Sequence, residues 1–303
     1  MSIPNDAPTP VTPSLLRDWP LPAPGEDKYS RGAVLVIGGA RSTPGAALLA
    51  GIAALRAGAG KLTLAVPESV AVPLGVALPE CGSVGLPETA NGSLSGEGLD
   101  RISSYLGQAD AVLIGPGLDD PELTEQLLRS VLAQEVSDGE PGGHGGPAVV
   151  LDAFALGVLP KLRDVEPWRG RLILTPNPTE AGILLGRDVK DLAEDVAGIA
   201  SEFSAVVSCQ GFIAGSSQGK DDPGLWKITT GYGGLGTSGS GDVLAGAIAG
   251  LRARGTSDAQ AACWGTHLHA AAADRLASKR GPLGFLAREL ADELPALMLE
   301  LNT

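Results

Sequence analysis

Continuous apolar runs of three to five residues recur along the chain and are separated by longer segments of mixed polarity. Strands that are buried on both faces of a parallel sheet have this continuous pattern, whereas half-buried strands alternate. Six runs therefore predict buried strands: residues 33–37, 62–66, 111–114, 149–151, 172–174 and 205–207. Six other segments predict helices: residues 44–59, 122–134, 178–185, 242–254, 258–277 and 286–301.

The alternation of these elements predicts an α/β fold, a three-layer sandwich in which helices cover both faces of a mostly parallel central sheet. A further apolar run, Phe212–Ala214, predicts one strand of a hairpin that turns around residues 219–224. Residues 1–30 are rich in proline and predict an extended N-terminal arm. Residues 31–303 predict a single catalytic domain, because no low-complexity linker or internal repeat divides them.

The charge balance argues against nucleic acid as a partner. The chain has 22 Lys and Arg against 35 Asp and Glu, a net charge of −13, which repels a phosphate backbone. The sequence predicts neither a signal peptide nor a membrane span, because no basic segment precedes an apolar one and no apolar run reaches about eighteen residues. The three scattered cysteines predict free thiols in a reducing compartment. We therefore expect a cytoplasmic protein.

Glycine and polar residues follow the predicted strands directly. In open α/β sheets, ligands bind beyond the carboxyl ends of the strands. The segments at those ends are Gly38-Gly39, Gly115-Pro116-Gly117, Asp152, Asn177–Glu180 and Gln210-Gly211. Their concentration at one edge of the sheet predicts a ligand site there.

A glycine-rich segment, residues 233–241, leads into the predicted helix that carries Asp242. Gly239 and Gly241 allow backbone N–H groups to converge on one point, and the helix N-terminus adds a positive dipole, so this segment predicts a phosphate site. Asp242 has two interpretations. It is either a general base that takes a proton from a hydroxyl attacking phosphorus, or an acidic residue favoured by the helix dipole. The Walker phosphate-loop motif and the dinucleotide-binding glycine motif are both absent from the sequence.

Asn177 and Glu180 lie three residues apart at a predicted strand-to-helix turn. An amide and a carboxylate at this spacing can hold Mg²⁺ through water, with Glu180 as the candidate metal ligand. The same spacing is typical of a capping box, in which both side chains bond the first turn of a helix. His267 and His269 are two apart on a predicted helix and cannot share a face, and no zinc motif is present.

Five segments, taken in order and with their spacing, resemble a known family: residues 38–67, 111–118 (AVLIGPGL), 149–156, 172–186 and 237–255 (TSGSGDVLAGAIAGLRARG). They are similar to the ADP/ATP-dependent NAD(P)H-hydrate dehydratases of the ribokinase-like superfamily. The resemblance implies a ribokinase-like fold and a metabolite-repair activity. Such enzymes use ADP or ATP, with Mg²⁺, to return the hydrates NADHX and NADPHX to NADH and NADPH. The hydroxyl is phosphorylated, and loss of phosphate restores the ring double bond.

The resemblance also implies site residues, with Asp242 meeting the reacting hydroxyl. The implied substrate contacts are Ala46, Gly117, Asn177 and Asp242. The implied nucleotide contacts are Gln210, Gly211, Phe212, Ile213, Ala214, Gly239, Ser240 and Gly241. It further implies a homo-oligomer, a tetramer in this family, and a separate NAD(P)H-hydrate epimerase in the same pathway.

Three positions depart from the family pattern: Asn177 stands where a substrate-contacting His is usual, Gln210 where a Lys is usual, and Phe154 where a carboxylate is usual. The spacing of Asn177 and Glu180 also occurs in small-molecule kinases of the superfamily. An alcohol kinase that stops after phosphorylation is therefore the alternative enzyme. A nucleotide-sensing protein that has lost its chemistry is the alternative outside enzymes, and Asp242 argues against it.

Overall fold

The computed structural model describes residues 7–138, 146–162, 165–215, 224–231 and 233–301. Within these ranges the strands are β1 (Thr9–Val11), β2 (Ala33–Ile37), β3 (Lys61–Pro67), β4 (Gly82–Leu86), β5 (Ala111–Ile114), β6 (Ala148–Leu151), β7 (Leu172–Leu174), β8 (Ala205–Cys209), β9 (Phe212–Ala214) and β10 (Leu225–Ile228). The helices are α1 (Pro13–Asp18), α2 (Pro44–Arg56), α3 (Glu68–Ala77), α4 (Ser103–Leu106), α5 (Pro121–Asp138), α6 (Phe154–Val158), α7 (Pro178–Leu185), α8 (Leu192–Phe203), α9 (Ser240–Ala253), α10 (Asp258–Arg280) and α11 (Ala287–Leu301).

All the strands belong to one sheet, in the order β1-β10-β9-β8-β7-β6-β5-β2-β3-β4. The six strands predicted from continuous apolar runs are present, and they pair in parallel as expected. Strand β9 runs antiparallel to both of its neighbours, which confirms the predicted hairpin with β10. The turn of that hairpin, over residues 216–223, lies outside the described residues.

Side chains of each central strand enter two separate cores, one on each face of the sheet. In β2, Val34 and Val36 join a core with α2, α9, α10 and α11, while Leu35 and Ile37 join a core with α5, α7 and α8. The predicted three-layer α/β architecture is thereby confirmed. None of the helices in the described part of the chain has the length and apolar character needed to cross a membrane.

The described part of the predicted N-terminal arm, residues 7–30, contains a short strand and a short helix. Strand β1 pairs in parallel with β10 at the sheet edge, and Thr12 caps α1 by accepting a hydrogen bond from the Leu15 N–H at 3.2 Å. The carbonyl oxygen of Trp19 accepts a hydrogen bond from Trp264 Nε1 at 2.9 Å. Proline at the first position of α1 starts a helix here, because a missing N–H costs nothing at that position.

Helices α2 and α9 lie side by side and approach each other through backbone atoms. A Cβ added at Gly246 of α9 would lie 2.1 Å from the carbonyl oxygen of Ala50 in α2, and one at Gly250 would lie 2.3 Å from that of Ala54. Glycine is therefore required at both positions. This close contact fixes the two helices relative to each other, and their N-terminal ends lie at the edge of the sheet where the sequence predicts a ligand site.

We expect Gly246→Ala to lower the free energy of unfolding by about 1–3 kcal/mol or more, because the methyl group forces α2 and α9 apart. The matched control is Gly198→Ala within α8, where an added Cβ meets no atom within 4 Å. That substitution should stabilise the protein by about 0.5–1 kcal/mol, because alanine favours helix. Denaturant unfolding measures both changes. Equal stability of the two variants would show that the helix contact is not tight.

Candidate active site

Loops that follow four neighbouring strands contact one another along the carboxyl edge of the sheet. The N–H of Gly39, after β2, donates to the carbonyl oxygen of Pro116, after β5, at 2.7 Å. A Cβ at Gly115 would lie 1.8 Å from the carbonyl oxygen of Asp152, after β6. Thr175, after β7, donates from Oγ1 to Asp152 Oδ1 at 2.8 Å. These loops therefore form one continuous surface at the predicted edge.

Two of the four predicted substrate contacts, Ala46 and Gly117, lie together at the start of α2. Gly117 has a φ of +76°, and a Cβ at this position would lie 2.9 Å from Ala46 Cβ and 2.6 Å from the carbonyl oxygen of Thr43. Thr43 Oγ1 in turn donates to the carbonyl oxygen of Gly117 at 2.8 Å. Both predicted residues are partly exposed, so a ligand can reach this end of α2.

Within the glycine-rich segment, Gly239 has a φ of +87° and is the N-cap of α9. A Cβ at Gly241 would meet no atom within 4 Å, so this residue borders open space. The N–H groups of Gly241 and Asp242 lie in the first turn, where a helix supplies no acceptor for them. An anion can therefore bind at this end of α9, as the sequence predicts.

Ser240, which the resemblance assigns to the nucleotide, is directed into the protein instead. Its side chain is buried, and its Oγ lies 2.9 Å from Nε2 of His269. Its N–H donates to the carbonyl oxygen of Thr237 at 3.1 Å. Both hydrogen-bonding groups of Ser240 are thus used inside the fold, and the outward-facing donors at this turn are those of the next two residues.

Asp242 is half-buried in the first turn of α9. Burial raises the pKa of its carboxyl group from 3.8 to about 6. The group is therefore still largely ionised near neutral pH, yet it is a much better proton acceptor than an exposed aspartate.

Asp152 lies at the same edge, where the sequence places it directly after a strand, although the sequence assigned it no role. Its side chain is 6% exposed. Burial raises its pKa to about 7, and the negative charges of Asp242 and Glu180 add to the increase. The carboxyl groups of Asp242 and Glu180 therefore both lie close enough to raise the pKa of Asp152.

Asn177 and Glu180 form the capping box of α7 that the sequence offered as one interpretation. Asn177 Oδ1 accepts from the Glu180 N–H at 3.0 Å, and Glu180 Oε2 accepts from the Asn177 N–H at 2.9 Å. Burial raises the pKa of Glu180, while the hydrogen bond from Asn177 acts in the opposite direction. In the described part of the chain, no three His, Cys, Asp or Glu side chains are grouped as a metal site.

Gln210 and Gly211 form a two-residue turn between β8 and β9, with φ values of +48° and +79°. Positive φ at both central residues is typical of the tight turns that join antiparallel strands. The Ile228 N–H donates to the carbonyl oxygen of Gly211 at 2.7 Å, which ties this turn to the end of β10. The predicted nucleotide residues 210–214 therefore adjoin the start of the loop that leads to α9.

Comparison with known proteins places this geometry in a family. Residues 34–296 match the family model for NAD(P)H-hydrate dehydratase. The chain is 42% identical to the ADP-dependent (S)-NAD(P)H-hydrate dehydratase of Xanthomonas campestris, over 95% of each chain. It is 38% identical to a bifunctional NAD(P)H-hydrate repair enzyme of Moorella thermoacetica over 89% of its own length, and it spans about half (50%) of that protein.

Solved structures agree with the sequence comparisons. The ADP/ATP-dependent NAD(P)H-hydrate dehydratase of Bacillus subtilis, co-crystallised with ATP and Mg²⁺, aligns with a TM-score of 0.76 and 28% identity over 97% of this chain and 98% of that one. Ribokinase of Arabidopsis thaliana aligns with a TM-score of 0.52 and 15% identity over 90% of this chain and 99% of that one, which supports the ribokinase-like fold alone. By its sequence match and its fold, the chain belongs to the NAD(P)H-hydrate dehydratase family.

Proposed function

We propose that Asp242 is the general base in the nucleotide-dependent dehydration of NADHX and NADPHX. The observation that carries this assignment is the position of its carboxyl group, half-buried in the first turn of α9 beside N–H groups suited to a phosphate. An isolated acidic residue favoured only by the helix dipole would have no reason to be desolvated. Its raised pKa suits a group that accepts a proton near neutral pH.

The reaction then proceeds in two stages. The hydroxyl oxygen of the hydrate attacks the terminal phosphorus of the nucleotide, the bond from that phosphorus to the leaving nucleotide oxygen breaks, and the hydroxyl proton passes to Asp242. The phosphate of the new ester is a better leaving group than hydroxide. Its C–O bond breaks, a ring proton is lost, and the ring double bond of NADH or NADPH is restored together with inorganic phosphate. ADP would yield AMP, and ATP would yield ADP.

The nucleotide would bind between the first turn of α9 and the β8–β9 hairpin. Gly239 and Gly241 allow the backbone to approach its phosphates, and residues 210–214 contact the rest of the molecule. Gln210 carries no charge, but Lys227 in β10 lies over the ring of Phe212 at 5.0 Å and supplies a cation to this hairpin. The Xanthomonas relative is named as ADP-dependent, which supports ADP as the co-substrate.

The hydrate would bind across Ala46, Gly117 and Asn177, which lie at the same edge as Asp242. Mg²⁺ fits this site as a partner of the nucleotide phosphates, because it retains several waters and needs one or two carboxylates. Glu180 would hold it through water, since its described hydrogen bond uses Oε2 and leaves the other oxygen for a ligand. When bound, the ion neutralises phosphate charge during transfer.

Three further expectations remain proposals: a homo-oligomer, cytoplasmic location and cooperation with a separate epimerase. The match to a bifunctional repair enzyme, of which this chain spans about half (50%), supports the last of these, because a second activity resides in the same polypeptide there.

Asp242→Asn should lower kcat by about 10²–10⁴-fold, because the amide keeps the shape and cannot accept the proton. Nucleotide binding, measured by titration calorimetry, should persist. In the wild-type protein kcat/KM should fall as the pH drops through about 6, because a base is active only when deprotonated and burial raises the pKa to that value.

Asp258→Asn is the control for this variant, since Asp258 is also an acidic first-turn residue, in α10. It should change stability and leave kcat unaltered. Near-normal turnover of the Asp242→Asn protein would overturn the assignment of the base.

Gly241→Ala should raise the nucleotide KM without lowering the melting temperature, because the added methyl group enters open space that the phosphate would occupy. Gly239→Ala serves as the contrast. There a Cβ would lie 2.5 Å from Leu49 Cδ1 at a φ of +87°, so this variant should lose stability as well. An unchanged nucleotide KM in the Gly241→Ala protein would place the phosphate elsewhere.

Glu180→Gln should raise the Mg²⁺ concentration needed for half-maximal activity, because a neutral amide is a weaker ligand for a hard cation. The amide oxygen can still accept from the Asn177 N–H, so the cost in stability should be at most about 1 kcal/mol. Titration of activity with Mg²⁺, alongside thermal unfolding, separates the two roles. If the Mg²⁺ requirement stays the same, Glu180 serves only the capping box.

A further inference from the structure

Helix α10 bonds both ends of the loop that precedes α9. At the entry to this loop, Asp274 Oδ2 accepts from the Gly231 N–H at 2.8 Å and from Thr230 Oγ1 at 2.5 Å. At its exit, His269 Nε2 lies 2.9 Å from Ser240 Oγ. The loop also packs closely on α10, since a Cβ at Gly231 would lie 2.8 Å from Ala270 Cβ. One helix therefore holds both ends of the loop that leads to the first turn of α9.

The exit contact matters because α9 has no side-chain cap of its own. Its N-cap is Gly239, which has no side chain to bond the first turn. By contrast, α8 and α10 are capped by Asp191 and Ser257, whose side chains accept from backbone N–H groups. The first turn of a helix without such a cap frays readily. The hydrogen bond between His269 and Ser240 supplies the missing restraint from a different helix.

We propose that His269 is a positioning residue: through Ser240 it fixes the first turn of α9, and thereby orients the Gly241 N–H and the Asp242 carboxylate toward the transferred phosphate. This inference rests on the proposed roles of Gly241 and Asp242. These residues directly follow Ser240, so a rotation of Ser240 displaces both of them.

The burial of the pair supports a specific polar role. His269 and Ser240 are 6% and 5% exposed. Burial of an imidazole lowers the stability of a protein relative to burial of an apolar side chain of the same size, unless the ring is hydrogen-bonded. Burial lowers the pKa of His269 to about 4, so the ring is neutral at physiological pH. A neutral ring bonds Ser240 without placing a positive charge behind the base, where it would reduce the basicity of Asp242.

His269→Ala should lower kcat about 10-fold and raise the nucleotide KM, because one buried hydrogen bond is lost and the first turn loosens. The KM for NADHX should stay unchanged, since Ala46 and Gly117 lie on other elements. His269→Gln should restore most of the activity, because its terminal amide reaches to about the position of Nε2. Ser240→Ala should reproduce the kinetic defect, and the double variant should be no worse than the more severe single variant.

His267→Ala is the matched control. His267 is equally buried on the same helix, its pKa is also lowered to about 4, and its Nδ1 has no hydrogen-bond partner among the described residues. We expect it to lose thermal stability while kcat and the nucleotide KM stay within about twofold of wild type. Ser240→Ala removes one hydroxyl only, so it carries the test if His269→Ala does not fold.

Additive effects of the two single variants would overturn the proposal, and so would equal kinetic defects in the His267→Ala and His269→Ala proteins. Failure of the catalytic assignment is distinguishable from either result. If Asp242→Asn remains active, Asp242 is not the base, and the coupling between His269 and Ser240 is still read from the nucleotide KM.

Discussion

The backbone contact between α2 and α9 is the constraint on which the site depends. Gly246 and Gly250 allow α9 to approach the carbonyl groups of α2 to a distance that no side chain permits. The N-terminus of α2 carries Ala46, where the hydrate would bind, and the N-terminus of α9 carries Asp242. The spacing between Ala46 and Asp242 is therefore set by two packed helices, which suits the proposed reaction because its atoms must be closely aligned.

The second constraint is electrostatic. Asp152, Glu180 and Asp242 bring three carboxyl groups to one edge of a chain that already carries a net charge of −13. Burial raises the pKa of all three groups. Because the folded protein holds these protons more tightly than the unfolded chain, the groups oppose folding at pH values above their raised pKa values. That penalty declines as the pH falls through the same range. The buried carboxylates thus lower the stability of the folded protein and are stronger bases than exposed ones. The N-terminal ends of α7 and α9 offset part of their negative charge.

Local patterns in the sequence predicted the parts of the fold and site that depend on local interactions. Continuous apolar runs identified the six central strands, and the spacing of Asn177 and Glu180 identified the capping box that the structure contains. Strand β4 was missed because Gly82 and Gly85 interrupt its apolar pattern at the sheet edge. Strand β1 was missed because its pairing with β10 joins residues more than two hundred positions apart.

Local sequence patterns also could not predict that the Ser240 side chain points into the protein. Its partner His269 belongs to another helix, and the spacing of His267 and His269 reveals only that the two rings face different ways. The two rings are equally buried, and their contacts distinguish them, since one ring bonds the first turn of α9 and the other does not. Sequence motifs predict which segment is suited to phosphate, whereas the residues that hold this segment in place depend on the tertiary fold.

The backbone conformation of the site does not depend on the three residues that depart from the family pattern. Gln210 occupies a turn position with a φ of +48°, which a Lys would adopt at the same cost. Asn177 replaces a ring with an amide that caps α7, so local stability is gained where a substrate contact changes. Phe154 begins α6 with its ring 40% exposed and is not part of either core. Substitutions of this kind need not move Gly241 and Asp242, because α9 is held by its close contact with α2 and by the bond from His269 of α10 to Ser240.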